Sequence, residues 1–377
     1  MASEVSYMRM GDLIILQDKV NSDNNEFPVL GLNKEKSFMP TVANVNDVNL
    51  QKYKVVEKGW FAFSGMQTGR DVCIRLARYT DDFPALISPA YTTFTLRDRV
   101  GEKEISPAYV FMFFNREESD RYGAFISDSS VRANLDWSRF CDIEIPVPDI
   151  EIQRQLVDVW EGLNSMKQDN EAQAEPLMEL CMSYLKKLRK DYPLQSIGGF
   201  IAPIDERNSD NKYKENSVRG IATSKQFIVT KANLEGVSLS SYKLVPPNSL
   251  AFVADTSRRG DKMSLAFNDS PEVYLVSSIS TVFEVLKGSD LLPEYLYLWF
   301  LRPEFDRYAR FHSWGSARET FDLDDMKRVS IPIPPKSIQQ AVVDIYNCAK
   351  ESKAIAEQAE QLRRIAGPAL MQKAINN

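Results

Sequence analysis

The sequence predicts an α+β protein in which two repeated, mainly-β domains are separated by two long antiparallel helices related by a pseudo-two-fold axis. Three observations predict this fold class: an internal repeat, short strand-like apolar runs early in each copy, and a nearly glycine-free helical stretch late in each copy. The 377 residues are 44% hydrophobic and 26% charged. That is the composition of an ordinary globular protein with enough apolar material for more than one core.

The internal repeat defines the organisation of the chain. The segment 145–148 (Ile-Pro-Val-Pro) recurs at 331–334 (Ile-Pro-Ile-Pro), an offset of 186 residues that also aligns Arg121-Tyr122 with Arg307-Tyr308. Upstream the offset is 189, and a polar loop at 97–106 absorbs the difference. Matches in one order with one small gap predict two copies of one unit. The predicted segments are a domain at 1–148, a helix at 149–192, a domain at 193–334 and a helix at 335–377.

Each predicted domain combines strands with one clear helix. Short apolar runs rich in β-branched and aromatic residues predict strands at Trp60–Phe63, Val72–Leu76, Tyr91–Leu96, Leu250–Val253 and Val273–Phe283. A helix is predicted after Pro107 and another after Pro293, because proline is favourable in the first helical turn.

The two helical segments carry apolar residues at alternating steps of three and four. The predicted seam of the first helix is Ile152, Leu156, Val159, Leu163, Met166, Leu177, Leu180 and Tyr184, and that of the second is Ile338, Val342, Ile345, Ala349, Ala356 and Ala359. Pro176 is expected to kink the first helix. Helices of ~58 Å need a partner for such a stripe, which favours antiparallel pairing. The alternative is that each helix packs on its own domain.

Several classes of site are absent from the sequence. His312 is the single histidine, the four cysteines include no Cys-x-x-Cys pair, and no phosphate-binding glycine loop is present. We therefore predict no catalytic residue and no metal site. The sequence contains no run of 18 apolar residues and no signal-peptide pattern, which favours a cytoplasmic protein.

At the repeated junctions the chain resembles a known family. The segments 132–153 (RANLDWSRFCDIEIPVPDIEIQ) and 318–339 (RETFDLDDMKRVSIPIPPKSIQ) are similar to the specificity (S) subunit of type I restriction–modification enzymes. The resemblance implies two target-recognition domains that read a bipartite sequence in double-stranded DNA. It also implies two methylation subunits that carry S-adenosylmethionine and modify adenine, and a restriction (nuclease–translocase) subunit. This chain would then be a non-catalytic subunit without a cofactor of its own.

Candidate DNA contacts follow from loops and from the alignment of the two copies. In the first domain they are Gln67, Thr68, Arg70, Arg75 and Arg132, and in the second Thr256, Ser257, Arg258, Arg259, Lys262 and Arg318. Arginine and glutamine can read base edges, whereas Arg132 and Arg318, which match between the copies, suit a shared element such as phosphate. The alternative for each matched arginine is that it holds a loop.

The net charge of the chain argues against DNA binding. The net charge is −6, and the segments 1–148 and 193–334 carry 17 basic against 21 acidic and 17 against 18 residues, respectively. Binding to phosphates by the isolated chain should therefore be weak unless basic residues cluster or partners supply charge. This leaves open a duplicated scaffold that binds other proteins, rather than DNA, through its helices.

Overall fold

The computed structural model describes residues 6–45, 48–256, 262–315 and 319–376, with side chains described up to residue 365. The chain forms two compact units, one comprising Met1–Asn170 with Ile355–Asn377 and the other Glu171–Ala354. Each unit therefore contains one domain and parts of both long helices.

The first unit contains twelve strands in its described part. They are β1 (Ser6–Arg9), β2 (Ile14–Gln17), β3 (Val29–Leu32), β4 (Phe38–Pro40), β5 (Lys54–Val56), β6 (Phe61–Ser64), β7 (Arg75–Arg78), β8 (Ala85–Ile87), β9 (Thr92–Leu96), β10 (Arg99–Val100), β11 (Lys103–Glu104) and β12 (Glu144–Val147). Its helices are α1 (Met10–Leu13), α2 (Thr68–Asp71), α3 (Pro107–Phe114), α4 (Glu117–Phe125), α5 (Trp137–Cys141) and the start of α6 (Ile150–Asp191).

The core of the first unit lies against a four-stranded antiparallel sheet of order β2-β9-β6-β7. Phe61 on β6 and Phe94 on β9 stack with ring centroids 5.2 Å apart, and both are fully buried. Helix α3 covers this core with Tyr109 and Phe114, and α5 adds Phe140. A second sheet, of order β4-β3-β8-β5, carries the β3–β4 hairpin.

The second unit repeats this arrangement. Its strands are β13 (Leu194–Ser196), β14 (Ile201–Ile204), β15 (Arg219–Ile221), β16 (Phe227–Val229), β17 (Lys243–Val245), β18 (Ser249–Val253), β19 (Leu265–Phe267), β20 (Tyr274–Val276), β21 (Ser280–Val285) and β22 (Ser330–Pro332). Its helices are the end of α6, α7 (Pro293–Phe300), α8 (Pro303–Phe311), α9 (Leu323–Arg328) and the start of α10 (Lys336–Asn376). The sheet β14-β21-β18-β19 has the same order as β2-β9-β6-β7. The predicted α+β repeat is therefore confirmed.

Two predicted strands differ from the structure. The run Val72–Leu76 is not one strand, because Val72 has a φ of 48° at the end of α2 and β7 begins only at Arg75. The run Val273–Phe283 is two strands, since a turn in which the Ser280 amide donates to the Ser277 carbonyl (2.9 Å) separates β20 from β21. Apolar composition alone did not reveal either turn.

Helices α6 and α10 contain 42 and 41 residues, and α6 is helical through Pro176. In the second unit the end of α6 and the start of α10 lie together, because Leu194 at the start of β13 pairs with Pro332 at the end of β22, and the helices run antiparallel from this junction. There the Cys181 Sγ lies 3.8 Å from the Val342 carbonyl oxygen. In the first unit the Lys167 Nζ lies 3.2 Å from a Glu360 carboxylate oxygen. The two helices thus pair within each unit, as the sequence predicts.

The predicted seam of α6 is correct only in part: Leu156 is 7% exposed and Ile152 packs against the core of the first unit, but four other positions are exposed. Val159, Met166, Leu180 and Tyr184 are 45%, 47%, 51% and 37% exposed. Besides Leu156, α6 buries a neighbouring stripe with steps of four and three residues: Gln153 and Val157, continued by the half-buried Trp160, and then Cys181, Leu185 and Leu188. This stripe was missed because it begins with the polar Gln153, which a search for apolar residues does not include. In α10 the predicted seam positions Val342, Ala349, Ala356 and Ala359 are buried, and alanine permits close approach.

The helix contact in the first unit includes a cluster of charges. Burial opposes ionisation of Glu360, but hydrogen bonds from Arg363, Arg364 and Lys167 outweigh it and lower the pKa of Glu360 to about 2. Three cations around one carboxylate therefore stabilise the ionised form in this helix contact.

Candidate nucleic-acid interface

In the first unit the candidate residues lie on a tight loop between β6 and β7, residues 65–74. The loop contains the single-turn helix α2, and the residues on either side of it, Gln67 and Val72, have φ angles of 60° and 48°. Left-handed backbone is costly for residues other than glycine, so surrounding contacts must hold it.

A second segment of chain supplies those contacts. The Gly65 carbonyl accepts the Leu135 amide (2.8 Å), the Ala133 carbonyl accepts the Gly69 amide (2.8 Å), and the Asn134 Oδ1 accepts the Gln67 amide (2.9 Å). A Cβ on Gly65 would lie 1.7 Å from the Leu135 carbonyl oxygen. The glycine therefore serves close packing between the loop and residues 133–135. This contact brings the segment that contains Arg132 to the loop that contains Gln67 and Arg70.

The candidate side chains of the first unit fall into two groups. Thr68 is buried and its hydroxyl donates to the Gly65 carbonyl (3.1 Å), while Arg75, 19% exposed, donates to Asp71 (2.5 Å) and to the Met66 carbonyl (3.2 Å). These two hold the loop. Arg70 is exposed and Gln67 is half-buried.

Asp71 organises the charges of the loop. A hydrogen bond from Arg70, together with the charges of Lys34 and Arg75, holds the pKa of Asp71 below its ordinary value despite the opposing effect of burial. Arg70 also donates to the Gln67 side chain (2.7 Å). The exposed Arg132 has no hydrogen-bonding partner among the described residues. Arg132 is therefore the candidate whose guanidinium is most available to a ligand.

In the second unit the corresponding described residues are 254–256, after β18, and 262–263, before β19. The Ala254 carbonyl accepts the Phe321 amide (2.9 Å), which is the contact that Gly65 makes with Leu135 in the first unit. Thr256 is buried, and its hydroxyl contacts Ser313 (3.0 Å) and the Glu319 carbonyl (3.1 Å). Lys262 is exposed. The other predicted residues, Ser257, Arg258, Arg259 and Arg318, lie outside the described residues.

In each unit a buried glutamine joins the domain to its long helix. The Gln153 side chain accepts the Ser106 amide (2.9 Å) and donates to the carbonyls of Glu104 and Pro148 (2.8 Å each). Gln339 makes the corresponding contacts with Leu292 (2.9 Å), Asp290 (2.6 Å) and Pro334 (2.7 Å).

Buried tyrosines complete these junctions. The Tyr109 hydroxyl donates to the Pro146 carbonyl (2.7 Å) and that of Tyr295 to the Pro332 carbonyl (3.1 Å). Burial raises the pKa of both tyrosines. The Pro-x-Pro segments are thus fixed by the core at the point where each helix begins.

Within the described ranges, no group of three or more His, Cys, Asp or Glu side chains is placed to hold a metal ion. None of the described helices combines the length and hydrophobicity that crossing a bilayer requires.

Comparison with known proteins identifies the second half of the chain. Residues 201–358 match the family described as "Type I restriction modification DNA specificity domain". This part of the chain is thus similar to a type I restriction–modification DNA specificity domain. The resemblance inferred from the junction segments is therefore confirmed. A search of curated proteins gave no significant match.

A solved S subunit shares the fold of this chain. The S subunit of a type I restriction–modification system from M. genitalium aligns over 98% of this chain and 96% of its own, with a TM-score of 0.61 and 11% identity. The HsdS subunit from Thermoanaerobacter tengcongensis aligns over 100% and 97%, with a TM-score of 0.42 and 14% identity. A chain from a study of complex assembly and conformational transition of the type I system aligns over 99% and 98%, with a TM-score of 0.43 and 14% identity.

Proposed function

We propose that this chain is the DNA-specificity subunit of a type I restriction–modification enzyme and that each domain reads one half of a bipartite target. The observation that carries the proposal is the duplicated loop. The residues that follow β6 and β18 make the same backbone contact to a second segment, Gly65 to Leu135 and Ala254 to Phe321. At the predicted contact positions Gln67 and Thr68 align with Thr256 and Ser257, whereas Arg70 aligns with the identical Arg259. A common frame with different side chains suits two readers of different base sequences.

The chain would select the target, and partner subunits would carry out the chemistry. The proposed partners are two methylation subunits that bind S-adenosylmethionine and modify adenine, and a nuclease–translocase subunit. The exposed apolar residues of α6 (Val159, Met166, Leu180 and Tyr184) support protein binding by this helix. Because the net charge is −6, the partners would also supply part of the positive charge that binds DNA phosphates.

The same exposed residues favour the second candidate function, a scaffold that binds proteins without DNA. The two functions are separated by measuring retention on duplex DNA at increasing salt, with and without the methylation subunit. A specificity subunit predicts strong, salt-dependent and sequence-selective binding of the complex. If the complex binds no DNA sequence in preference to another, the scaffold function stands and DNA specificity does not.

A further inference from the structure

A buried lysine occupies the same place in both units. Lys36 lies at the tip of the β3–β4 hairpin and Lys225 at the tip of the β15–β16 hairpin. Both have left-handed backbone, with φ angles of 59° and 66°, and both side chains are 5% exposed. A lysine is rarely buried without a charged partner. Its presence in both copies therefore requires a specific contact.

That partner is an aspartate in the first turn of a helix. The Lys36 Nζ donates to the Asp120 Oδ1 on α4 (2.6 Å) and to the Phe114 carbonyl. The Lys225 Nζ donates to the Asp306 carboxylate on α8 and lies 5.0 Å from the Phe305 ring centroid. The lysines align at the offset of 189 and the aspartates at 186, so the pair belongs to the repeat.

The same aspartates hold the ends of the candidate DNA-reading loops. The Asp120 Oδ1 accepts the Ile74 amide (2.8 Å), where loop 65–74 ends. The Asp306 Oδ1 accepts the Met263 amide (3.0 Å), two residues before β19 begins. A hairpin tip, a helix and the loop therefore meet at one carboxylate in each unit, and the buried ammonium group balances its charge.

We infer that Lys36 and Lys225 are positioning residues for DNA recognition: each fixes the aspartate that sets the end of its reading loop. The inference rests on the proposed function. Both lysine side chains are too buried to contact DNA directly, so each acts through its loop. Removing one partner of a buried ion pair leaves an uncompensated charge, which the site relieves by moving or hydrating the carboxylate. The loop amide bound to that carboxylate then moves with it.

The test uses the full chain in complex with its methylation partner. Affinity is measured for the wild-type target and for DNAs altered in either half-site. Lys36→Met should reduce discrimination at one half-site about tenfold, the contribution of roughly one base-pair contact, and leave the other unchanged. Lys225→Met should reduce discrimination at the other half-site about tenfold and leave the first unchanged. Lys58→Met removes an exposed Lys–Asp pair of the first unit (side chains 63% and 78% exposed) and should change neither ratio.

The ratio of affinities separates positioning from stability. A variant that merely unfolds loses affinity for every DNA in proportion, and its ratio stays at the wild-type value. If Lys36→Met does not fold, Lys36→Gln takes its place: it keeps a hydrogen-bond donor but leaves the Asp120 charge unbalanced, so its half-site ratio should also fall. Wild-type ratios in folded Lys36→Met or Lys36→Gln would overturn the inference while leaving the proposed function intact. Absence of half-site discrimination in the wild-type complex would instead overturn the proposed function.

Discussion

Replacing Gln339 with alanine should destabilise the second unit specifically at its junction with α10. The fully buried Gln339 side chain makes three hydrogen bonds, accepting the Leu292 amide (2.9 Å) and donating to the carbonyls of Asp290 (2.6 Å) and Pro334 (2.7 Å). Alanine leaves all three backbone groups without this partner. The two ends of the junction, the start of α7 and the start of α10, then lose their direct link.

The expected loss follows from those contacts. A net contribution of about 1 kcal/mol per hydrogen bond gives about 3 kcal/mol, and a buried group left unpaired costs about 1–3 kcal/mol more. Alanine favours helix over glutamine by only a few tenths of a kcal/mol. After this small gain is subtracted, we expect the free energy of unfolding of the second unit to fall by about 3.5–5.5 kcal/mol.

The matched control is the next residue in the chain. Gln340 is exposed and its side chain contacts only Asp344 (2.9 Å) among the described residues, so Gln340→Ala should change the free energy by less than about 0.5 kcal/mol. Urea unfolding compares the two variants, and amide exchange of the peptide that contains Leu292 reports the lost acceptor directly. Equal urea midpoints, or unchanged protection of the Leu292 amide in Gln339→Ala, would refute the reasoning.

Three further outcomes are expected. Gly65→Ala should destabilise the first unit by about 1–3 kcal/mol through its clash with the Leu135 carbonyl. The control Gly162→Ala, which has open space around its Cβ, should be neutral or stabilising in urea unfolding. Equal effects of the two substitutions would contradict the packing argument. Because its folded pKa of about 2 lies below the ordinary value, Glu360 should stabilise the fold fully above about pH 4.5 and lose this effect as the pH falls towards 2. The difference in unfolding free energy between wild type and Glu360→Gln should shrink over that window, and a difference that does not vary with pH would exclude this role. Met166→Glu, at a position 47% exposed, should leave folding unchanged and weaken co-purification of the methylation subunit relative to Gln168→Glu; full retention would place the partner elsewhere.

The repeat was the part of the fold most accessible from the sequence. The matched Ile-Pro-x-Pro segments and the proline-led helices α3 and α7 depend on local chemistry that both copies share. The register of α6 was missed because Gln153 is buried through its hydrogen bonds, and a hydrophobic pattern cannot recognise a satisfied polar residue. Val159 and Met166 supported the wrong stripe because exposed apolar residues look identical to core ones in sequence.

The candidate site was predictable only in part. The sequence indicated the loop at Gln67–Arg70 and the segment at Arg132, and the structure brings the two segments into contact. The burial of Thr68 and Thr256 depends on tertiary contacts that the sequence does not reveal. The Lys36–Asp120 pair was present in the repeat alignment as matched residues, but charged residues 84 positions apart give no sign of burial until the fold places them together.

Sequencing of methylated adenines tests the central claim most directly. Genomic DNA is compared between cells that express this chain with its methylation subunit and cells that express the methylation subunit alone. The account predicts a split methylated motif that depends on this chain. It also predicts that replacing residues 1–148 with the corresponding domain of a relative changes one half of the motif and preserves the other. Methylation that is independent of the chain, or a replacement that changes both halves or neither, would contradict it.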